Sequence, residues 1–362
     1  MAYALALVCL NGTDTRAEGP LTGPDDNIFL ELVRPEAKDR RARILGAIYG
    51  NRRLNWGSDS DGAAISMQNR IQTRYVDPYD GDPRTLEELR ENDAGPMFRR
   101  VRTILNGHLG NTDFTYHLQF DWGDLFNRDL AVTYHLSNRM HIWLGRGKVL
   151  YNDERVTSSG RLQLINRSIV SDLFTVDRQQ GLQVYGRLFA GEPLDMNYAV
   201  GAFTGKGIGT LDNDGEPMLA ARVQFNLLGG LMSQAQSDIA FTYNPAASLA
   251  FAGMTTRSNC TVFISEPESC KALPGLPDAD EGRSGQYSID QAMIEGKFRW
   301  RGFSLMSEVH RKRVVDHLQA RGEPGRQRTL TGAYLQGGLL PHSVWSAVPR
   351  QLEIAARYSY VD

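Results

Sequence analysis

The sequence predicts an all-β protein, specifically a transmembrane antiparallel β-barrel, and three observations predict it. Segments of about ten residues alternate apolar and polar side chains, the period of a strand that separates two environments. Their apolar side is rich in Phe, Tyr and Trp. Their other side carries many charges, which the packed core of a soluble sandwich or propeller would not tolerate.

The composition of the chain argues against some classes of function. The chain has 362 residues and a net charge of −2, which argues against a nucleic-acid partner recognised by bulk charge. No run of about eighteen apolar residues occurs, so no transmembrane helix is predicted.

The three cysteines fall in two places. Cys9 lies in the apolar stretch at the start of the chain. Cys260 and Cys270 lie in a loop-like stretch, where a local disulfide is possible in a non-cytosolic compartment. Their spacing fits no zinc pattern, and neither a metal nor a cofactor is expected.

Residues 1–64 are interpreted as a separate N-terminal segment. Residues 2–10 resemble the apolar part of a signal peptide, although the basic region that normally precedes it is missing. The rest of the segment is interpreted as a periplasmic or extra piece, interrupted by Pro24, Pro35 and residues 59–62. The barrel domain is predicted over residues 65–362.

Alternation predicts about thirteen strands from residue 65 onward. They cover residues 65–75, 98–109, 113–122, 128–136, 140–148, 181–189, 196–205, 218–228, 238–244, 286–300, 303–312, 329–338 and 351–360. The clearest is 113–122, where Phe114, Tyr116, Leu118, Phe120 and Trp122 share one face. Most tight turns and most long loops alternate along the chain, as in outer-membrane barrels. Because bacterial barrels have even strand numbers, the barrel is expected to be incomplete at the C-terminus.

The alternation stops over residues 148–179, which we call the insert. Leu162, Ile165, Ile169 and Leu173 recur at helical spacing, and Ser158 or Ser159 could cap such a helix. Five cations lie in or beside this helical pattern: Lys148, Arg155, Arg161, Arg167 and Arg178. A surface excursion would explain the insert by itself. The insert follows the fifth predicted strand, at the end with long loops, and its cations are the candidates for a pore constriction if it folds into the barrel.

The charged face of the predicted strands is more basic than acidic. Six arginines on it are predicted to guide anions along the channel: Arg70, Arg74, Arg100, Arg102, Arg187 and Arg222. Lys297, Arg299 and Arg357 share this face, against Asp121, Asp129, Glu295, Glu308 and Glu353. Rings of Arg and Lys favour anions, and the Arg fork suits phosphate oxygens. Alternatively, these arginines pair with the acids and only solvate the lumen.

Catalytic patterns are weak, and no enzyme activity is predicted. Asp121, His117 and His135 could lie near each other on adjacent strands, as in a barrel-type outer-membrane hydrolase or acyltransferase. Lumen-lining polar residues explain them more simply. A third alternative is a structural outer-membrane barrel that does not conduct.

Several stretches together resemble the phosphate-selective porin O and P family. They are FRRVRTILNGHLG (98–110), LGRGKVLYNDERVTSSGRLQLINRSIV (144–170), DRQQGLQVYGRL (177–188), YAVGAFTG (198–205) and LEIAARYSY (352–360). The resemblance covers residues 65–362, and its most specific part runs from Thr157 to Ser168. The N-terminus departs from the family pattern.

This resemblance implies a barrel of about sixteen strands in the outer membrane of a Gram-negative bacterium. It implies a homotrimer that contacts outer-membrane lipid and passes inorganic phosphate, polyphosphate or other small anions. It also implies that the loop after the fifth strand folds into the pore, and that about three strands of the barrel are missing here.

Overall fold

The computed structural model describes residues 7–10, 54–56, 62–76, 95–110, 112–208, 216–264, 270–273, 275–276, 282–319, 323, 326–349 and 352–362. Most of the predicted N-terminal segment lies outside these ranges, so the signal-peptide interpretation and the boundary at residue 65 stay predictions. Within the described ranges, no helix is long and apolar enough to cross a membrane.

The regular secondary structure of the described residues is almost entirely strand, which confirms the predicted all-β class. The strands are β1 Leu7–Leu10, β2 Leu54–Trp56, β3 Ala63–Val76, β4 Gly95–Leu109, β5 Phe114–Asp121, β6 Phe126–Ser137, β7 Met140–Lys148, β8 Arg178–Leu188, β9 Met196–Phe203, β10 Met218–Leu228, β11 Ala246–Ser258, β12 Val262–Phe263, β13 Cys270–Lys271, β14 Tyr287–Trp300, β15 Phe303–Asp316, β16 Gln327–Leu339 and β17 Leu352–Val361. The short helices are α1 Asp153–Val156, α2 Ile169–Phe174 and a 3-10 turn, Pro341–Ser343.

The chain divides into two compact units, and both contain antiparallel sheets. The smaller unit, residues 37–131, holds the strand order β5-β4-β3-β2 and the first part of β6. The larger unit, residues 1–36 and 132–362, holds the order β1-β17-β16-β15-β14-β11-β10-β9-β8-β7 and the last part of β6. A separate hairpin, β12-β13, completes it. From residue 62 on, thirteen strands of the described chain belong to the main sheet, as predicted.

One strand was predicted in the wrong place. Residues 238–244 form a turn, and the strand is β11. The Asp238 carboxylate accepts hydrogen bonds from the backbone N–H of Thr242 at 3.1 Å and of Gly302 at 2.7 Å, which holds the turn. In β11 the buried side carries mostly small residues such as Ala250 (1% exposed), whereas its exposed side carries residues such as Phe251 (40%). Small side chains give a weak alternation signal, which explains the error.

The hairpin β14-β15 forms as predicted around a two-residue turn. Trp300 pairs with Phe303, and the turn residues Arg301 and Gly302 have φ of 47° and 80°. Positive φ at both central residues is the type I′ geometry, whose twist matches that of the flanking strands. This hairpin has the longest uninterrupted register in the larger unit, from Tyr287↔Asp316 to the turn.

The larger unit places its polar side chains inside and its apolar side chains outside. On β14 and β15, Glu295 and Glu308 are 1% and 0% exposed, whereas Ile294 and Val309 are 49% and 48% exposed. A soluble sheet buries its apolar face instead. The exposed face of this unit therefore suits an apolar solvent, and the buried face holds a cluster of charged side chains.

Candidate functional site

The insert lies against the buried face of the larger unit, but it is less helical than predicted. Helix α2 begins only after Ser168, whose Oγ accepts a hydrogen bond from the Ser171 N–H at 3.1 Å and caps it. Ser158 and Ser159 cap no helix. The predicted helix does not form around Gln163. The Gln163 N–H donates instead to the side chain of Gln236, with its Oε1 atom 3.0 Å away. The apolar spacing therefore identified only the second half of the helix.

Helix α1 is held by two carboxylates from distant strands. Glu295 Oε2 accepts from the Asp153 N–H at 2.8 Å, and Glu308 Oε1 accepts from the Glu154 N–H at 3.0 Å. Glu308 Oε2 also accepts from Asn152 Nδ2 at 3.0 Å. The first N–H groups of a helix lack partners within the helix and carry partial positive charge. The two buried carboxylates supply those partners and so fix the insert to β14 and β15.

The acidic groups that hold α1 are balanced by basic side chains on β14 and β10. Arg222 Nη2 lies 2.8 Å from Glu295 Oε1 and 3.2 Å from Asp153 Oδ1. Lys297 pairs with the second oxygen of Asp153. Since removing one partner from a buried pair leaves an uncompensated charge, these groups act as a unit. We call the set Asn152, Asp153, Glu154, Arg222, Glu295, Lys297 and Glu308 the anchor network.

A second attachment lies in the middle of the insert, at Gln163. Gln163 Nε2 donates to Ser304 Oγ at 2.9 Å and to Glu353 Oε1 at 2.6 Å. Gly338 lies beside this amide, and a Cβ at that position would collide with it. Near the start of the insert, the Leu150 N–H donates to Gln183 Oε1 on β8 at 3.1 Å. Strands from β8 to β17 thus converge on the insert.

The structure brings four of the five predicted constriction cations close to the backbone and acids of the insert. Lys148 Nζ donates to Val156 O at 3.0 Å, and Arg167 donates to Glu154 O and Thr157 O at 2.9 and 2.7 Å. Arg155 pairs with Asp177, and Arg178 Nη1 lies 3.9 Å from the same carboxylate. The side chain of the fifth, Arg161, is half-buried. These cations therefore shape the insert as well as charging it.

Burial also changes the acidity of two groups in the insert. It lowers the pKa of Arg167 to about 9, and the neighbouring Arg155 adds to the effect. Burial and the nearby Glu308 raise the pKa of Glu154. Ser168 opposes this second shift, since its N–H and Oγ–H donate to the Glu154 carboxylate at 2.7 and 2.5 Å. The Glu154 side chain is fully buried, and the Arg167 side chain is half-buried.

The predicted guiding arginines are distributed over both units. In the smaller unit Arg70 is directly opposite Arg102 on the neighbouring strand, and Arg74 is opposite Met97. Arg102 Nε donates to Asp121 Oδ2 at 2.7 Å, and Arg100 Nη1 to Gln72 Oε1 at 2.6 Å. In the larger unit Arg187 pairs with Asp195, and Arg222 belongs to the anchor network.

Lys312 is a buried cation that the sequence analysis missed. It is 0% exposed on β15, and its Nζ donates to Leu173 O at 3.0 Å and to Thr261 O. It forms no ion pair with any residue that the structure describes. Arg299, which was assigned to the correct face, binds Ser233 Oγ at 2.7 Å and likewise lacks an ion pair among the described residues. Glu308 and His310 lie on the buried side of β15, and extending this alternation by two residues would have identified Lys312.

The Cys260 and Cys270 sulfurs are bonded, with Cα atoms 5.4 Å apart. The bond closes the hairpin β12-β13, and Thr261 of that hairpin supplies one of the two carbonyls that hold Lys312. The disulfide hairpin and the end of α2 therefore meet at one buried ammonium group.

The proposed hydrolytic grouping is not assembled around Asp121. That carboxylate accepts from Arg102 and Arg128 at 2.7 and 2.6 Å. His117 Nδ1 instead contacts Asn106 Oδ1 at 2.6 Å, and its Nε2 lies 3.9 Å from Asp129. In the larger unit His135 contacts His141, with their Nδ1 atoms 2.7 Å apart. No cluster of His, Cys, Asp and Glu suited to a metal occurs among the described residues.

No family model and no curated protein matches the chain. Similar solved structures include an anion-selective porin from Comamonas acidovorans, 14% identical over 83% of this chain and 79% of that chain, with a TM-score of 0.48. OmpT, an outer membrane protein of Vibrio cholerae folded in vitro, is 10% identical over 83% of this chain and 98% of its own, with a TM-score of 0.35. The outer membrane channel DcaP of Acinetobacter baumannii is 10% identical over 84% and 99%, also with a TM-score of 0.35.

Proposed function

We propose that the chain is an outer-membrane porin through which small anions diffuse passively. The observation that carries the proposal is the inverted sheet of the larger unit, with charged residues buried and large apolar residues exposed. In water such an exposed apolar face would drive aggregation, whereas a bilayer solvates it. Antiparallel strands that pair with each other satisfy their backbone groups within the membrane. The protein therefore resides in a bacterial outer membrane, where strand-built membrane proteins of this kind occur.

The preference for anions is supported by how the buried cations are held. Lys312 is held by carbonyl oxygens. Arg299 is held by a hydroxyl and a carbonyl, and the Asp238 carboxylate acts on its charge without forming an ion pair with it. Dipoles satisfy the hydrogen bonds of a cation but do not cancel its charge as a carboxylate does. The positive potential of such groups extends into nearby water, where it raises the local concentration of anions. Arg161 and Arg167 of the insert add to it.

Phosphate or polyphosphate is the solute class that we propose within this function. Guanidinium groups bind phosphate oxygens in a bidentate manner, more specifically than they bind chloride. The oligomer proposed with it is a homotrimer, which the mass of the detergent-purified protein would test directly.

Selectivity in a planar bilayer tests the proposal. Under a KCl gradient we expect a reversal potential that favours chloride, and we expect added phosphate to reduce the chloride current. Lys312→Met and Arg299→Gln should each shift the reversal potential toward that of potassium. Arg283→Gln, a change of the same type at an exposed loop position, is the matched control and should leave it unchanged. A wild-type channel that prefers potassium would overturn the anion proposal.

A second candidate is a structural barrel that the insert closes. It is favoured by the number of strands bonded to the insert, from Gln183 on β8 to Glu353 on β17. This candidate predicts that the protein inserts into bilayers without measurable conductance. Wild-type conductance therefore separates the two functions before any variant is made.

A further inference from the structure

The disulfide hairpin β12-β13 belongs to the loop between β11 and β14, yet its side chains are buried in the larger unit. Thr261 and Phe263 are 0% and 1% exposed, and Leu273, just after the hairpin, is 2% exposed. The Leu273 N–H donates to Thr261 Oγ1 at 2.8 Å, which ties the two sides of the hairpin together. The hairpin therefore packs inside this unit, as the insert does, and the diffusion of anions gives its disulfide no role.

The C-terminal end of α2 is held by two side chains that lie directly opposite each other on β14 and β15. Lys312 Nζ donates to the Leu173 carbonyl at 3.0 Å. Gln291 Nε2 donates to the Phe174 carbonyl. The last carbonyls of a helix have no partner within the helix and attract positive charge. Lys312 and Gln291 therefore cap α2 and attach the end of the insert to the sheet.

The same ammonium group also holds the hairpin. Lys312 Nζ donates to the carbonyl of Thr261, the residue that follows Cys260. Because Lys312 is 0% exposed, protein carbonyls take the place of water around its charge. If the hairpin moved away, water would reach the ammonium group and compete with the Leu173 carbonyl. The positions of the hairpin and of α2 thus depend on one side chain.

One sulfur of the disulfide is more accessible than the other. Cys260 is 1% exposed, whereas Cys270 is half-buried and is followed by the exposed Lys271. A thiolate of a dithiol attacks the Cys270 sulfur, forms a mixed disulfide with it and releases the Cys260 sulfur as a thiolate. The second thiol of the reagent then displaces the Cys270 sulfur. The reagent leaves as a disulfide, and both cysteines end as thiols with the two electrons and two protons that it gave up.

We propose that the Cys260–Cys270 disulfide is a redox-sensitive latch on the insert. While the bond is intact, it orders the hairpin and keeps Thr261 at Lys312, which keeps the end of α2 on the sheet. Reduction by a dithiol removes the cross-link over a sequence separation of 10 residues, so the hairpin gains freedom and α2 detaches more often. In an oxidising compartment the intact bond is the resting state. The latch acts on the insert whether or not the protein conducts anions.

Digestion by an arginine-specific protease tests the latch, because α2 lies between Arg167 and Arg178. The detergent-purified protein is digested with and without dithiothreitol, and alkylation with mass spectrometry verifies the reduction of Cys260 and Cys270. We expect reduction to raise the initial cleavage rate at these two arginines about tenfold, the factor that one hydrogen bond to a charged group provides. An unchanged rate in fully reduced wild type would overturn the proposal.

Two lysine variants distinguish the latch from a general loosening of the fold. Lys312→Met removes the shared ammonium group, so its insert should be cleaved faster than that of the oxidised wild type, and dithiothreitol should add little. Lys271→Met makes the same change at the exposed lysine of the hairpin and should keep the tenfold response. Equal responses to dithiothreitol in Lys312→Met and the wild type would also overturn the proposal, since the link through Lys312 would then be absent.

A cysteine variant tests the latch without altering Lys312. The double variant Cys260→Ser, Cys270→Ser should be cleaved at the rate of the reduced wild type and should not respond to dithiothreitol. Cleavage at the rate of the oxidised wild type would show that the cross-link does not hold the insert. Cleavage is measured without ion flow, so failure of the latch and failure of the proposed porin function are separate results.

Discussion

Replacing Glu308 with glutamine should release the insert from the sheet. Glu308 is 0% exposed and accepts hydrogen bonds from Asn152 Nδ2 and the Glu154 N–H, both at 3.0 Å, with His310 Nε2 at 2.9 Å from the same carboxylate. Glutamine has nearly the same shape but only one acceptor oxygen. If that oxygen takes the place of Oε2, the amide nitrogen takes the place of Oε1. The N–H groups of the new amide then face the Glu154 N–H, so that two hydrogen-bond donors oppose each other.

The magnitude follows from the bonds that change. One hydrogen bond to a charged acceptor is lost, and the Glu154 N–H is left unsatisfied in a buried place. Together these cost about 3 kcal/mol. If only the attached insert makes these bonds, the ratio of released to attached insert rises by about 150-fold, since 1.4 kcal/mol is a factor of ten.

Limited trypsin digestion measures this ratio. The insert offers Arg155, Arg161 and Arg167 as cleavage sites, which are shielded while it is attached. When opening and closing are faster than cleavage, the cleavage rate follows the population of the released state. We expect Glu308→Gln to be cut in the insert up to about 150 times faster than the wild type, with the strands left intact. Mass spectrometry of the fragments identifies the sites.

The control is Glu216→Gln, the same chemical change at an exposed site where the carboxylate contributes little to stability. Glu216 pairs with Arg257 at 3.2 Å, but their side chains are 54% and 40% exposed, and such pairs contribute little. Cleavage of Glu308→Gln at a rate within about threefold of the wild type would refute the role assigned to the anchor network.

Three further predictions concern other parts of the larger unit. Gly338→Ala should speed trypsin cleavage of the insert, because the added Cβ would displace the amide of Gln163; Ala356→Gly on the neighbouring strand is its control. Cys260→Ser should lower the thermal unfolding temperature in detergent, since the β12-β13 hairpin loses its cross-link, and equal unfolding temperatures in oxidised and reduced wild type would contradict this. Asp195, in the loop before β9, should make stability depend on pH. Burial alone would raise its pKa, but hydrogen bonds from Arg187, Asn226 and Gly191 outweigh this and hold the pKa below its ordinary value. Its contribution is therefore present above about pH 4 and is lost as pH falls through the lower folded pKa. Asp195→Asn should remove that acid-dependent loss in unfolding curves recorded between about pH 2 and 6, and an unchanged acid dependence would exclude Asp195 as its origin.

Local patterns predicted most of the fold. The period of two predicted β14 and β15, because their outward residues are large and apolar and their inward residues are charged. The turn at Arg301 and Gly302 followed from the two-residue gap between them. The same reasoning placed a strand at residues 238–244 instead of β11, because small buried residues leave little hydrophobic contrast for a pattern to reveal.

The charged face of each strand and the place of the insert after the fifth long strand were predictable, since both depend on neighbours along the chain. The partners of these charges were not predictable, because they are set by tertiary contacts. Glu295 and Glu308 meet α1 across 142 and 154 residues of sequence, and Gln163 meets Glu353 across 190. Contacts over such separations depend on how the sheet brings distant strands to one insert, and no local pattern encodes that. For this reason the insert's cations were found from the sequence, while their carbonyl and carboxylate partners were not.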